Sequence, residues 1–224
     1  MRMMIDEKEE KKMSEAFVKY KIKAKFVDRL MGGLPGNPEL VDVFLAQKKL
    51  LPGEKESAER MLNISQNMAT VEGVEEIMSN IFARDEIGLY LNAYQLSAAL
   101  KEAAYVQKSV WPTAMKRGVR VLPSKLYLKR DGAYIEKPDG EEQFVSHLEE
   151  VRTGRPYSAI KKVEFLNQPE FEAEIWVANV TGKGAPKPLI NEETMRLLLD
   201  HVQMAGIGAM RSMGFGMCEI AMGD

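Results

Sequence analysis

From Ala16 to Val27 the chain alternates with period two: Ala16, Val18, Tyr20, Ile22, Ala24 and Phe26 fall on one side, Phe17, Lys19, Lys21, Lys23 and Lys25 on the other. That pattern predicts a strand whose apolar side meets a core. The opposite side then carries its lysines about 7 Å apart. Such a row is either a solvated face that lysine guards against edge-to-edge association, or one whose mutual repulsion a bound anion relieves. Gly32-Gly33-Leu34-Pro35-Gly36-Asn37-Pro38 halts any regular element. From Glu39 to about Phe82 the spacing turns helical, with Leu40, Val43 and Phe44 on one face, a break at Pro52-Gly53, and later Met61, Ile64, Met68, Val74, Ile77, Met78 and Ile81. Two or three helices account for it, either as an insertion packed beside a sheet or as a separate helical subdomain.

Sheet character returns at Gly88–Tyr94, and Leu96, Leu100 and Ala104 predict a helix over Gln95–Gln107. Val119–Leu128 is expected as one strand. Asp131-Gly132 marks a type I′ hairpin, whose central positions both need positive φ. Ala159–Leu166 and Phe171–Val180 are expected to pair as a hairpin across Asn167-Gln168-Pro169, with Phe171, Ala173, Ile175 and Val177 inward. Asn191 is a suitable N-cap, Glu192 and Glu193 suit the positive end of a helix dipole, and Met195, Leu198, Leu199 and Val202 carry that helix to Ala205. Gly206 ends it, and a last strand follows from about Gly216 to Met222. Hairpin, helix and strand in this order match the second half of a ferredoxin-like, RRM-like βαββαβ unit. Its first half would be the lysine-bearing strand, a helical connection and the sheet near Gly88. The expected class is α+β with an antiparallel sheet: a charged leader over 1–15, then a single domain over 16–224 with a helical insertion at about 39–82.

Composition narrows the chemistry. Of 224 residues, 45% are hydrophobic and 29% charged, as in an ordinary globular protein, which argues against disorder, repeats or filaments. No apolar run reaches the length of a membrane span, and the charged N-terminus lacks a secretory signal, so a cytoplasmic protein without membrane association is expected. Cys218 has no second cysteine to pair with, and His147 and His201 are too few to complete a zinc site, so no metal or other cofactor is expected. The net charge of -2 announces no polyanion partner, so any such role must rest on local patches.

Two patches stand out. Lys101–Arg130 holds eight basic residues, Arg117 and Arg120 among them, against the single acid Glu102, with Tyr105, Trp111 and Tyr127 interleaved. Cations neutralise phosphates and aromatic rings stack bases, the combination that suits single-stranded nucleic acid; the alternative is core aromatics beside a solvated cationic face. Acidic residues concentrate elsewhere, including Glu164–Glu174, which allows a bipolar molecule. The other patch is Gly206-Ile207-Gly208-Ala209-Met210-Arg211-Ser212-Met213-Gly214-Phe215-Gly216. Four glycines here either aim backbone N–H groups at a phosphate or serve a tight helix-to-strand connection. The order of residues fits neither a Walker loop nor a dinucleotide fingerprint. Weaker cationic loops lie at Arg152–Pro156 and Thr181–Lys187.

This glycine run, placed between a last helix and a last strand (Met217-Cys218-Glu219-Ile220), resembles the C-terminal glycine-rich loop of the RAMP superfamily, the ferredoxin-like RNA-binding proteins of CRISPR effector complexes. The Gly32-Gly33-Leu34-Pro35 turn after the first strand adds a weaker likeness. Together they cover about a quarter of the chain. The resemblance implies a RAMP core that binds RNA or single-stranded nucleic acid along sheet and loop, as one subunit among other protein subunits or as a homo-oligomer. Lys19, Lys21, Lys23, Lys25, Arg117, Arg120, Gly206, Gly208, Arg211, Ser212, Gly214 and Gly216 are the expected contacts. Some members of that superfamily are metal-independent endoribonucleases that use a histidine from the first half of the chain. Here no histidine precedes His147, which departs from that pattern; His147 and His201 are the catalytic candidates, and cleavage is the alternative to simple binding. A second alternative is an assembly protein that keeps the fold and lacks the ligand.

Overall fold

Residues 16–34, 78–149, 156–180 and 187–223 are described by the computed structural model. In chain order the first half contains β1 (Phe17–Phe26), β2 (Arg29–Met31), β3 (Met78–Asn80), β4 (Ala83–Arg84), β5 (Leu89–Asn92), α1 (Ala93–Gln107) and α2 (Pro112–Gly118). There follow β6 (Val119–Leu122), β7 (Lys125–Tyr127), β8 (Lys129–Arg130), β9 (Ala133–Tyr134), β10 (Gly140–Glu149), β11 (Pro156–Asn167), β12 (Glu170–Val180), β13 (Lys187–Pro188), α3 (Glu192–Ala205) and β14 (Cys218–Gly223).

The period-two segment is the centre of the main sheet. Antiparallel β1 pairs with β12 on one side and β14 on the other, and β6 pairs antiparallel with β12. The order β14–β1–β12–β6, with α1 leading through α2 into β6 and α3 leading to β14, is the all-antiparallel ferredoxin-like arrangement. The fold is α+β. Tyr20, Ile22, Ala24 and Phe26 share one face with Phe171, Ala173, Ile175, Val177, Val119 and Val121, and the inner sides of α1 (Leu96, Leu100, Ala103) and α3 (Met195, Leu198, Val202) close over them as one core. Alternation on the strands and helical spacing on the helices point apolar side chains into the same layer. The other face of the sheet carries no helix from these two.

A second sheet, β10–β11–β2 with β3 beside β11, turns away at a shared corner. There Phe26 N–H donates to Pro169 O and Gln168 N–H to Asp28 O, so β1–β2 and β11–β12 bend together. A third, β4–β5–β7, is fastened by Asp85, whose carboxylate accepts from Lys125 Nζ at 2.6 Å, Tyr127 OH at 2.8 Å and Ile87 N–H at 3.0 Å. Buried Glu164 accepts from Phe82 N–H at 2.8 Å and pairs with Arg84, joining the second sheet to the third.

Several sequence expectations are met. Lys19, Lys21, Lys23 and Lys25 are all exposed while the residues between them are buried. Asn191 Oδ1 accepts from Thr194 N–H at 2.8 Å, and Asp131 and Gly132 both take positive φ in the turn between β8 and β9. Four expectations need correction. Phe171–Val180 does not pair with Ala159–Leu166: β12 pairs with β1, and β11 belongs to the second sheet. The reach from Val119 to Leu128 is broken after Leu122, because Pro123 has no N–H to continue a ladder, and β6 and β7 join different sheets. The second strand of the ferredoxin-like unit is therefore β6 and its first helix α1, rather than the sheet near Gly88. The expected leader over 1–15 and residues 39–77 of the insertion expected at about 39–82 lie outside the described residues; at the end of that insertion Met78–Asn80 is a strand parallel to β11, not a helical turn.

Candidate functional site

Because side chains alternate across a strand, the register of β1 fixes what stands around each lysine on the face away from the helices. Lys19 stands opposite Trp176 of β12, and Arg120 of β6 stands on the other side of that tryptophan. Lys21 stands between Gly223 and Glu174, with Leu122 beyond. Lys23 stands between Ala221 and Glu172, and Lys25 between Glu219 and Glu170. The lysines are thus collected on one surface, but the carboxylates of Glu170, Glu172 and Glu174 line up beside three of them. The expected separation of acidic from basic residues does not hold here. Long side chains on neighbouring strands also reach their diagonal neighbours, and two ion pairs form that way: Lys23 Nζ lies 3.0 Å from Glu170 and Lys129 Nζ lies 3.3 Å from Glu172, each one step along the face from the residue opposite it.

The surface therefore divides. Toward the β1 C-terminus it is a balanced lattice of Lys and Glu. Toward the β1 N-terminus it is cationic and aromatic. Lys19 Nζ sits 4.3 Å from the Trp176 ring centroid, Phe17 packs against the same ring at 6.0 Å, and Trp176 Nε1 donates to Glu174 at 2.8 Å. Arg120 is held in place by bonds from Nη1 to the carbonyls of Lys116 at 2.8 Å and Val119 at 2.9 Å. Lys21 forms no ion pair among the described residues, although Glu174 is its neighbour in register. Phe17 appears in the sequence on the lysine side of the alternation. Trp176 carries the same signal, since inward Ile175 and Val177 leave it outward, but it stands among glutamates that draw no attention to it.

Between this face and the β7–β9 segment lies a groove of about 850 Å³, lined among others by Lys21, Lys23, Glu172, Glu174, Tyr127 and Tyr134. Tyr134 is half exposed and meets the edge of Tyr127 at 5.7 Å, with Lys129 Nζ 5.4 Å from its ring. Burial, then the bond to Asp85, pushes the Tyr127 hydroxyl up to about 12, so it stays protonated. Burial opposes ionisation of Asp85, and the bonds from Lys125, Tyr127 and Ile87 outweigh it, holding that carboxyl below its ordinary range.

The glycine-rich loop lies elsewhere. Its N–H groups at 206, 207, 213, 214 and 216 donate to carbonyls of the chain itself: Val202, Gly216, Met210, Arg211 and Arg29. A Cβ on Gly216 would lie 2.1 Å from Ile207 O, and one on Gly206 2.9 Å from Phe215 O. Close approach of the chain to itself accounts for those glycines, as a tight helix-to-strand connection requires. Phe215 docks on Phe144 of β10 at 5.8 Å. Arg211 reaches Glu102 of α1 at 2.7 Å, on the helix side of the sheet, so it does not share the open face with the lysines. Ser212 is exposed beside it, and Gly208 backs onto Leu30.

Arg117 is exposed on the last turn of α2. Tyr105 and Trp111, 72% and 84% exposed, stand at the end of α1 and before α2, whereas Arg120, Lys125, Tyr127 and Lys129 line or border the open face. The basic segment is therefore split between two regions. His147 is on β10 opposite Ser158, and His201 is part-buried on α3, so the two histidines belong to different layers. Of the two weaker cationic segments, residues 152–155 and 181–186 lie outside the described residues. Burial pushes the Cys218 thiol up to about 12, which leaves it inert. Among the described residues no three His, Cys, Asp or Glu side chains are grouped to hold a metal ion, and no helix is long and apolar enough to cross a membrane.

No family model matches the chain, and no curated protein matches it. Among solved structures it is similar to a chain in the cryo-EM structure of the Type III-B Cmr-β bound to cognate target RNA, with 11% identity and a TM-score of 0.49. The match covers 97% of this chain and 64% of that one, so this chain spans less than two thirds of its neighbour's length.

Proposed function

We propose that the open face of the main sheet binds single-stranded nucleic acid, RNA being the polymer that the loop's resemblance to the RAMP superfamily favours. The observation that carries this is the Lys19–Trp176–Arg120 row, in which an aromatic ring on a central strand is flanked on both sides by cations, with Phe17 against the same ring. A base has a π face to stack on such rings, and its flanking phosphates meet ammonium and guanidinium groups. Lys21 extends the cationic end by one position. Lys23 is engaged by Glu170, and Lys25 stands between Glu170 and Glu219 in register, so neighbouring carboxylates offset both charges, few phosphates are neutralised and the salt dependence is shallow. Membership of a larger ribonucleoprotein assembly is part of the same reading and rests on the loop resemblance.

Fluorescence anisotropy with a labelled single-stranded RNA of about ten nucleotides, a length within the range of single-strand sites, tests the face. Trp176→Ala is expected to weaken binding by about 5- to 150-fold, the loss of one stacked base. Lys19→Ala combined with Arg120→Ala lowers the slope of log affinity against log salt by about two phosphate contacts. A Trp176→Ala protein that melts like the parent and binds RNA unchanged would remove the face from consideration.

A further inference from the structure

The groove beside this row has a polarity that neither a plain phosphate site nor a plain stacking site would need. Its floor holds Lys21 with no ion pair among the described residues, and Lys23, already engaged by Glu170. Next to them stand two carboxylates with capacity left over: Glu174, with Oε2 occupied by Trp176 Nε1, and Glu172, whose side chain is 61% exposed and meets Lys129 through Oε2 alone. Lys125 is engaged by Asp85. The far wall supplies the half-exposed ring of Tyr134, and the rim at Leu122 and Pro123 is apolar. A ligand that satisfies this set has three parts: an anion for Lys21, a flat apolar ring for Tyr134 and the rim, and an N–H donor for the carboxylates.

Resting on the reading of the face given above, we propose that the groove holds one nucleotide whose base carries an exocyclic amine, cytosine being the pyrimidine that does, with its phosphate on Lys21 and its amine donating to Glu174 or Glu172. A carboxylate accepts from the N4 amine of cytosine, whereas uracil presents a carbonyl oxygen at that position, which a carboxylate repels. The volume of about 850 Å³ accommodates a nucleotide, within the 300–1,000 Å³ usual for small-ligand sites. The shared chemistry is a cytidine phosphate, either as one unit of a bound strand or as the free mononucleotide. The two pyrimidines stack similarly, so the carboxylates decide between them.

The test compares oligocytidylate and oligouridylate of about ten nucleotides, and CMP against UMP, on the full chain and on Glu172→Gln/Glu174→Gln. The expected result is a preference for cytidine of about 10- to 150-fold, the scale of one hydrogen bond to a charged group, that disappears in the double variant. Neutralising two carboxylates raises affinity for every anion, so the ratio between the bases is the readout. A preference confined to the strands identifies the ligand as part of a polymer; one shared by CMP identifies a mononucleotide site. Equal affinity for both bases, or a preference that survives the double variant, overturns the groove assignment while leaving strand binding on the face intact. If no strand binds, the reading of the face falls, and the groove assignment falls with it unless CMP binds in preference to UMP.

Discussion

Gly216 takes φ of 79° and brings its α-carbon so close to Ile207 that a methyl group would lie 2.1 Å from the carbonyl oxygen. Gly214, two residues earlier, has a similar φ of 88° but faces open space. Alanine at 214 meets only the backbone strain of a left-handed residue, about 1–2 kcal/mol, a fall of about 2–8 °C in melting temperature for a chain of this size. Alanine at 216 adds a clash with backbone, which cannot rotate aside, and is expected to lower the melting temperature well beyond the 214 variant. Thermal unfolding followed by circular dichroism compares them, and equal falls would mean the loop adapts. The same comparison bears on the sequence, where the four glycines had two explanations. Their contacts to the chain's own carbonyls select the structural one at 206 and 216. Phe17 and Trp176 show the converse: each obeys the alternation of its strand, yet only pairing of β1 with β12 makes a stacking surface of them.

At the level of elements, the loop between α3 and β14 is latched to α1 by Arg211 and Glu102, side chains that keep 32% and 45% of their exposure. A pair so open to solvent contributes about 0–1 kcal/mol. Arg211→Ala is therefore expected to change stability little and to leave both RNA affinity and its salt slope where they were. A slope lowered by about one, the mark of a lost phosphate contact, would bring the loop back into the interface. Much of each element was legible: the alternation of β1, the Asn191 cap, the Asp131-Gly132 turn and the buried stripe of α3 are all local signals. Pairing was not. Alternation states which side chains share a face and is silent about the neighbouring strand, so closeness in sequence points β12 at β11, whereas the corner at Gln168-Pro169 sends it to β1. For the same reason the glutamates of β12 looked remote from lysines about 150 residues away that they stand beside.

In the molecule as a whole, Asp139 clasps one sheet to another. Arg130 in the β8–β9 hairpin donates to its carboxylate from Nη1 at 3.1 Å and Nη2 at 2.5 Å, and Asn167, the last residue of β11, donates its N–H at 2.7 Å. Arg130 also donates to Asn167 O at 2.7 Å, so the fork spans the corner where β11 becomes β12. The Arg130 bond, opposed by partial burial and aided by Asn167, holds the Asp139 carboxyl below its ordinary range. A carboxyl depressed by folding stabilises the folded state fully above its unfolded pKa of about 4, and that contribution is lost as pH falls through the lower folded value. Asp139→Asn keeps the shape and an acceptor oxygen but removes the charge. It is expected to be less stable than the parent at pH 7, with the gap closing as the pH is lowered toward and below that folded pKa. Urea unfolding across this range measures the gap directly. Asp85, whose carboxyl is also held low, titrates in both proteins and cancels from the difference. A gap that stays constant across the range would show that shape and neutral hydrogen bonding at this corner, rather than the ion pair, hold the two sheets in register.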